Sequence, residues 1–209
     1  VNYDGSVKAF LFLLNNECCV SIDKSQKFLS DLTNGELKIS RGMINSLSKE
    51  FSQKTADERK ELYNRIMASP VMHIDCTNAR SNGKNVYVFV TATPGGEVMY
   101  FARARKGHEG VKGTPAEDYA GIIVQDHEKT FYKYGADHQE CMAHVERYLK
   151  DSIANEQDKT WSTKMLALIK EMLHYRNGLD SSEECSLEKV SEFEKRYMEI
   201  LDIAKEEQS

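Results

Sequence analysis

The hydrophobic positions change their period twice along the chain, and three regions follow from that. In residues 1–69 apolar side chains recur at helical spacing. Ala9–Asn15 is apolar up to Asn15-Asn16, Ser25–Leu32 carries Phe28, Leu29 and Leu32, and Asn34-Gly35 marks a turn. Ser40 is placed to cap a helix with Met43, Ile44, Leu47 and Phe51 on one face, and a further helix is predicted over Thr55–Ala68 before Ser69-Pro70. This N-terminal helical region is the first of three expected parts.

From residue 70 to about 150 the pattern becomes that of strands. Val71–Cys76 is a short apolar run ending on an acid, Asn82-Gly83 is a hairpin signal, and Val86–Thr91 is β-branched and aromatic. Pro94-Gly95-Gly96 turns the chain into a third strand, Val98–Ala102. Thr114–Tyr119 reads as a short helix with Thr114 as cap and Pro115 at its first position. Ile122-Ile123-Val124 is wholly apolar and therefore predicted to be an interior strand. Lys129–Tyr134 reads as helical, and a short strand is expected near Glu140–Met142. A meander, a helix and a central apolar strand together describe the beginning of a ribonuclease H-like α/β mixed sheet. From about residue 144 helical spacing returns, over His144–Ile153, Thr160–Tyr175 and Leu187–Ala204, and residues 151–209 read as a helical insertion. Trp161, Leu166, Ile169 and Leu173 form one expected stripe there, and Leu187, Val190, Phe193, Tyr197, Ile200 and Leu201 another.

Composition narrows this further. With 209 residues, 40% hydrophobic and 29% charged, the chain is an ordinary globular sequence, and its longest apolar runs fall far short of a membrane span. Its five cysteines are irregularly spaced without a Cys-x-x-Cys, which argues against a disulfide framework or zinc site and for reduced thiols in a cytoplasmic setting. The net charge of −5 is unevenly spread. Arg80–Gly113 holds six basic against two acidic residues, whereas Ser181–Ser209 holds nine acidic against four basic. The middle of the chain is thus locally basic, as a surface that meets phosphates should be.

Two acids stand out. Asp75 closes Val-Met-His-Ile-Asp, and Asp126 closes Ile-Ile-Val-Gln-Asp. In the fold just described the strand before Asp126 pairs parallel with the strand before Asp75, which sets both carboxylates side by side. Oxygen ligands without His or Cys favour Mg²⁺ or Mn²⁺. Against this stands the ordinary use of Asp as a turn residue at strand ends.

The stretch His73–Arg147 resembles the central domain of IS66-family transposases, a DDE group. Asp75-Cys76-Thr77 matches its Asp-Glu-Thr, Arg103-Ala104-Arg105-Lys106-Gly107-His108 its arginine-rich strand and glycine turn, and Val124-Gln125-Asp126-His127-Glu128 with Tyr132 its second acid. Cys141-Met142-Ala143-His144-Val145-Glu146-Arg147 matches its Cys-Trp-Ala-His-x-Arg-Arg, and Ile39-Ser40 with the helix after it resembles the segment before the catalytic domain. Cys76, His127 and Met142 depart from the family's Glu, Gly and Trp.

The resemblance implies a DNA transposase performing metal-dependent phosphodiester hydrolysis and strand transfer at element ends. Asp75 and Asp126 would hold Mg²⁺ or Mn²⁺, and Arg103, Arg105, Lys106, His144 and Arg147 would contact duplex DNA. It also implies a homo-oligomeric active complex, no membrane association and a location at the bacterial nucleoid.

The family's third acid lies in an Asn-Asn-x-x-Glu-Arg-type helix, and no such motif occurs in residues 150–209. The chain starts at Val1 without Met, and the expectation is a fragment, inactive alone, whose third acid lies beyond residue 209. A catalytically inactive DNA-binding or assembly module of the same fold is the alternative, and a stand-alone metal nuclease a further one. Residues 25–51 also fit a helix-turn-helix, though Arg41 and Lys49 are the only basic groups on the second helix, which favours packing or assembly. Cys141 as a nucleophile would lack a base and an oxyanion site. His73 reads as packing rather than ligand.

Overall fold

The computed structural model describes residues 3–180 and 182–208. The chain divides into two compact units, Val1–Ala68 and Ser69–Ser209.

The first unit is helical: α1 (Gly5–Asn16), α2 (Ile22–Leu32), α3 (Arg41–Lys54) and α4 (Ala56–Ala68). Each of the first three starts at a side-chain cap. Asp4, Ser21 and Ser40 accept from the backbone N–H of Ser6, Lys24 and Met43 and so satisfy donors the helix cannot. Asn34 and Gly35 both take positive φ, which lets the chain reverse after α2. Leu11, Leu29, Ile39, Ile44 and Leu47 form the core. Phe51 is half exposed and rests against Phe12, with ring centroids 4.4 Å apart. Arg41 is paired with Asp23 at 2.8 Å.

The second unit is built on five strands: β1 (Val71–Ser81), β2 (Lys84–Ala92), β3 (Val98–Arg103), β4 (Ile122–Gln125) and β5 (Asp137–Glu140). Their order is β3-β2-β1-β4-β5. The pairs β1–β2 and β2–β3 are antiparallel, whereas β1–β4 and β4–β5 are parallel. An antiparallel meander followed by parallel strands on its first strand is the arrangement of a ribonuclease H-like core, the fold class expected from the sequence. The hairpin between β1 and β2 turns on Asn82 and Gly83, both at positive φ, as a tight two-residue turn requires.

β1 runs five residues beyond the expected Cys76, because the hairpin carries the polar segment Thr77–Ser81 into the ladder with β2. One face of the sheet carries Met72, Ile74, Phe89 and Ile123, all buried. Against that face lie α5 (His108–Val111), which packs on β2, and Phe131, whose ring meets Phe89 edge-on at 6.4 Å. The short helix expected at Thr114–Tyr119 is a 3-10 turn over Pro115–Asp118, with Thr114 at its N-cap position and Pro115 in its first turn, and the helical segment expected at Lys129–Tyr134 is a 3-10 turn over Phe131–Lys133. β5 ends at Glu140, ahead of the expected position, because α6 (Met142–Asn155) begins directly after Cys141.

α6, α7 (Trp161–Asn177) and α8 (Leu187–Glu207) pack around Leu149, Met165, Leu168, Ile169, Phe193 and Ile200. The stripe expected on α7 holds in part: Ile169 is buried and Trp161 and Leu166 pack against the same core, joined by Met165 and Leu168, whereas Leu173 is 38% exposed. α7 contacts both α6 and α8, so its apolar residues serve more than one face. The α8 stripe is also partial, with Phe193 and Ile200 buried but Leu187 85% exposed. Glu207, at the end of α8, accepts from the backbone N–H of Thr160 and Trp161 and from the Thr160 hydroxyl, and so caps α7 across the bundle.

Candidate metal centre and nucleic-acid interface

The parallel junction of β1 and β4 fixes the geometry of the two acids. His73 pairs with Val124, and Asp75 and Asp126 each lie two residues further on. Side chains alternate along a strand, so His73 and Asp75 on β1 and Val124 on β4 share one face, opposite the buried face of Met72 and Ile74, and Asp126, just past the end of β4, lines the same cleft. A cleft of about 120 Å³ on this face is lined by His73, Asp75, Val90, Val124, Asp126, Cys141 and His144, among others. Asp75 is exposed, and its Oδ1 accepts from the backbone N–H of Cys76 at 2.6 Å.

Asp126 differs from Asp75 in its shielding. Its Oδ1 is screened from solvent and has no hydrogen-bond partner. A shielded carboxylate oxygen is costly unless a cation or donor meets it. Two carboxylates at one cleft, one with an unsatisfied oxygen, are the hard oxygen donors that suit Mg²⁺ or Mn²⁺. Among the described residues no group of three His, Cys, Asp or Glu side chains is placed to hold an ion.

α6 delivers His144 to the same cleft. Gln125 carbonyl oxygen accepts from Cys141 N–H at 2.6 Å, which ties the start of α6 to the end of β4. His144 is half-buried, its Nδ1 shielded and without a hydrogen-bond partner, and its ring centroid is 6.4 Å from that of Tyr148. His73, read from the sequence as a packing residue, is exposed and lines the cleft.

The basic residues part company. Lys106 binds Glu128 at 2.6 Å, and Glu128 also accepts from the Thr130 hydroxyl at 3.1 Å. The Lys106 ammonium holds the Glu128 carboxyl below its usual range, and that bond in turn raises the Lys106 ammonium. Burial pushes the Cys76 thiol up; Asp75, Glu128 and Asp126 add to that and Lys106 opposes it, so this ion pair lies within electrostatic reach of the cleft acids. Arg103 turns back on its own surroundings, donating to the carbonyls of Ala102 and Lys112 and lying over the Phe101 ring. Arg105 and Arg147 are exposed. None of the residues Arg103, Arg105, Lys106 and Arg147 lines the cleft.

The chain matches the transposase IS66 family over residues 5–208. The chain belongs to the IS66 family of transposases. No curated protein matches it. The family member's departures from the pattern quoted above are located by the structure. Cys76 is half-buried directly after Asp75, Met142 opens α6, and His127 occupies a left-handed backbone position at φ 70°.

Sequence reasoning missed a polar cluster beside Asp126. His127 Nδ1 lies 3.0 Å from Glu140 Oε1 and 3.1 Å from the Tyr132 hydroxyl, which itself donates to Glu140. The available signal was the parallel register, which sets Glu140 opposite Gln125. Among the described residues no helix is long and apolar enough to cross a membrane.

Proposed function

We propose that the cleft between Asp75 and Asp126 is the divalent-cation site of a DNA transposase that hydrolyses phosphodiester bonds at element ends and joins the freed 3′ ends to target DNA. The single observation that carries this reading is the one cleft that both acids line, with a shielded, partnerless oxygen on Asp126. Asp75 and Asp126 would hold Mg²⁺ or Mn²⁺. Such an ion, when bound, supplies positive charge where a phosphodiester gains negative charge during transfer. The protein's part is to hold one carboxylate on β1 and the other directly after its parallel neighbour β4, and to screen one side of the cleft with the start of α6.

Duplex DNA would lie across the basic residues. Arg105 and Arg147 are open to solvent, and Lys106 is available if it leaves Glu128. His144 would meet the backbone nearest the cleft, and Arg103 would act mainly through the loop it braces. Residues 70–150 would form the first part of the catalytic core and 151–209 a helical insertion, after the helical region 1–69. The third acid would come from a helix after that insertion, outside these residues. A homo-oligomer acting in the cytoplasm at the nucleoid completes the reading.

One observation favours a second reading. The described residues offer no third ligand beside the two acids, which suits a catalytically inactive DNA-binding or assembly module. Titration of the chain with Mn²⁺, followed by water-proton relaxation, separates the two. Binding that Asp75→Asn and Asp126→Asn each weaken at least about tenfold supports the cation site. Equal binding by wild type and both variants rejects it.

A further inference from the structure

We propose that His127, Glu140 and Tyr132 form a clamp that positions Asp126, holding its carboxylate in the cleft before any ion arrives. The inference rests on the cation-site reading above and assigns three positioning residues to it.

The starting point is the backbone. β4 ends at Gln125, Asp126 follows, and His127 sits at φ 70°. A non-glycine residue in that region is strained and persists only where its surroundings dictate it. Here they do. Glu140 is the ladder partner of Gln125 on the parallel neighbour β5, so its carboxylate is fixed relative to the end of β4. An ionised carboxylate can only accept, so the His127 Nδ1–H and the Tyr132 hydroxyl both donate to Glu140 Oε1. The His127 and Tyr132 rings meet edge-on, with centroids 5.8 Å apart, and the His138 ring backs Tyr132 at 5.1 Å.

Tyr132 is itself anchored. Its neighbour Phe131 is 1% exposed and packs edge-on against Phe89 in the core. The clamp therefore ties three points to one another: the residue after Asp126, the turn Phe131–Lys133, and the end of β5. Without it, the backbone beyond Asp126 could relax out of the left-handed region. The carboxylate would then turn its shielded Oδ1 to water, which is the cheaper state for an unpaired acid. The clamp works against that relaxation and keeps the oxygen available to a cation.

A structural role and a positioning role make opposite predictions for one substitution. Glycine is free at φ 70°, so His127→Gly removes the strain and the clamp together. If the cluster served only folding, His127→Gly would bind Mn²⁺ as the wild type does. If it positions Asp126, the variant keeps its thermal stability yet binds Mn²⁺ about tenfold more weakly, the loss typical when the support of a ligand is removed. His127→Asn, which tolerates the left-handed region and can still donate to Glu140, restores affinity to within about threefold by the same argument. Tyr132→Phe, which keeps the ring and removes one donor, weakens binding in the same direction and serves if the glycine variant folds poorly.

The experiment is the Mn²⁺ titration of the full 209-residue chain with melting curves recorded on the metal-free proteins. Wild-type affinity in both His127→Gly and Tyr132→Phe overturns the clamp, as does an asparagine variant no better than glycine. Asp126→Asn is the control. If it binds weakly while the clamp variants bind normally, the positioning role alone fails. If it too binds normally, the cation site fails and the clamp with it.

Discussion

Asp75, within β1, and Asp126, directly after the end of β4, each lie two residues past the His73–Val124 pair of these parallel strands and line one cleft. Nothing between them in sequence sets that relationship; the β1–β4 pairing does, within a sheet whose buried face carries Phe89 of β2 with Phe131 packed against it. Phe131 is 1% exposed and its ring packs edge-on against Phe89 of β2. Phe131→Ala should lower unfolding free energy by about 3–5 kcal/mol, the range for an emptied aromatic site. Urea denaturation followed by circular dichroism measures it. A loss well under 1 kcal/mol would mean that the core closes over the gap and that Phe131 does not hold this face of the sheet.

Two glycines test the packing with opposite signs. A Cβ on Gly110 would run into the Phe89 ring and approach the Arg105 carbonyl oxygen to 2.6 Å, whereas a Cβ on Gly42 in α3 meets nothing within 4 Å. Gly110→Ala should destabilise by about 1–3 kcal/mol through overpacking. Gly42→Ala should stabilise by about 0.5 kcal/mol, since alanine is the better helix former. Melting temperatures that move the same way in both variants would contradict the packing assigned to α5.

Much of this could be read from the chain before its structure, and the remainder could not for identifiable reasons. Val86–Thr91 announces β2 by its β-branched and aromatic content, and Asn82-Gly83 announces the turn before it. The placement of Asp75 and Asp126 at the ends of apolar runs was likewise visible. The polar half of β1, Thr77–Ser81, was not, because its strand character comes from its partner on β2 rather than from its own residues. The stripe on α7 was legible in Trp161, Leu166 and Ile169, but the burial of Met165 and Leu168 was not, because a helix wedged between two others buries more than one face. Lys106 and Glu128 are 22 residues apart, and the clamp on His127 depends on a register between parallel strands. Such pairings leave no local period in the sequence.

Arg103 and Arg105 were indistinguishable in sequence, yet the structure separates them. Arg103 braces the carbonyls of Ala102 and Lys112, while Arg105 is exposed. If Arg105 contacts a DNA phosphate, Arg105→Ala should weaken binding to duplexes of any sequence and reduce the slope of log affinity against log salt by about 1. Arg103→Ala should instead lower the melting temperature with a smaller change in that slope. Fluorescence anisotropy across a KCl series reads both. An unchanged slope for Arg105→Ala would remove it from the DNA surface.

Glu207 supplies a prediction with a defined pH direction. Hydrogen bonds from Thr160 and from the backbone N–H groups of Trp161 and Thr160 hold its carboxyl below the usual range. A depressed acid contributes stability that is fully present above its unfolded value, about 4.3 for Glu, and is lost as pH falls through the lower folded value. Glu207→Gln should therefore melt at a lower temperature than wild type at pH 7. The gap should narrow only below about pH 4.3, as the wild-type cap becomes protonated. Thr160→Val, which removes the hydroxyl donor but leaves both backbone donors, should show a smaller deficit with the same pH dependence. A gap that stays constant down to acid pH would show that the charge of Glu207 does not cap α7 and that the contact is packing alone.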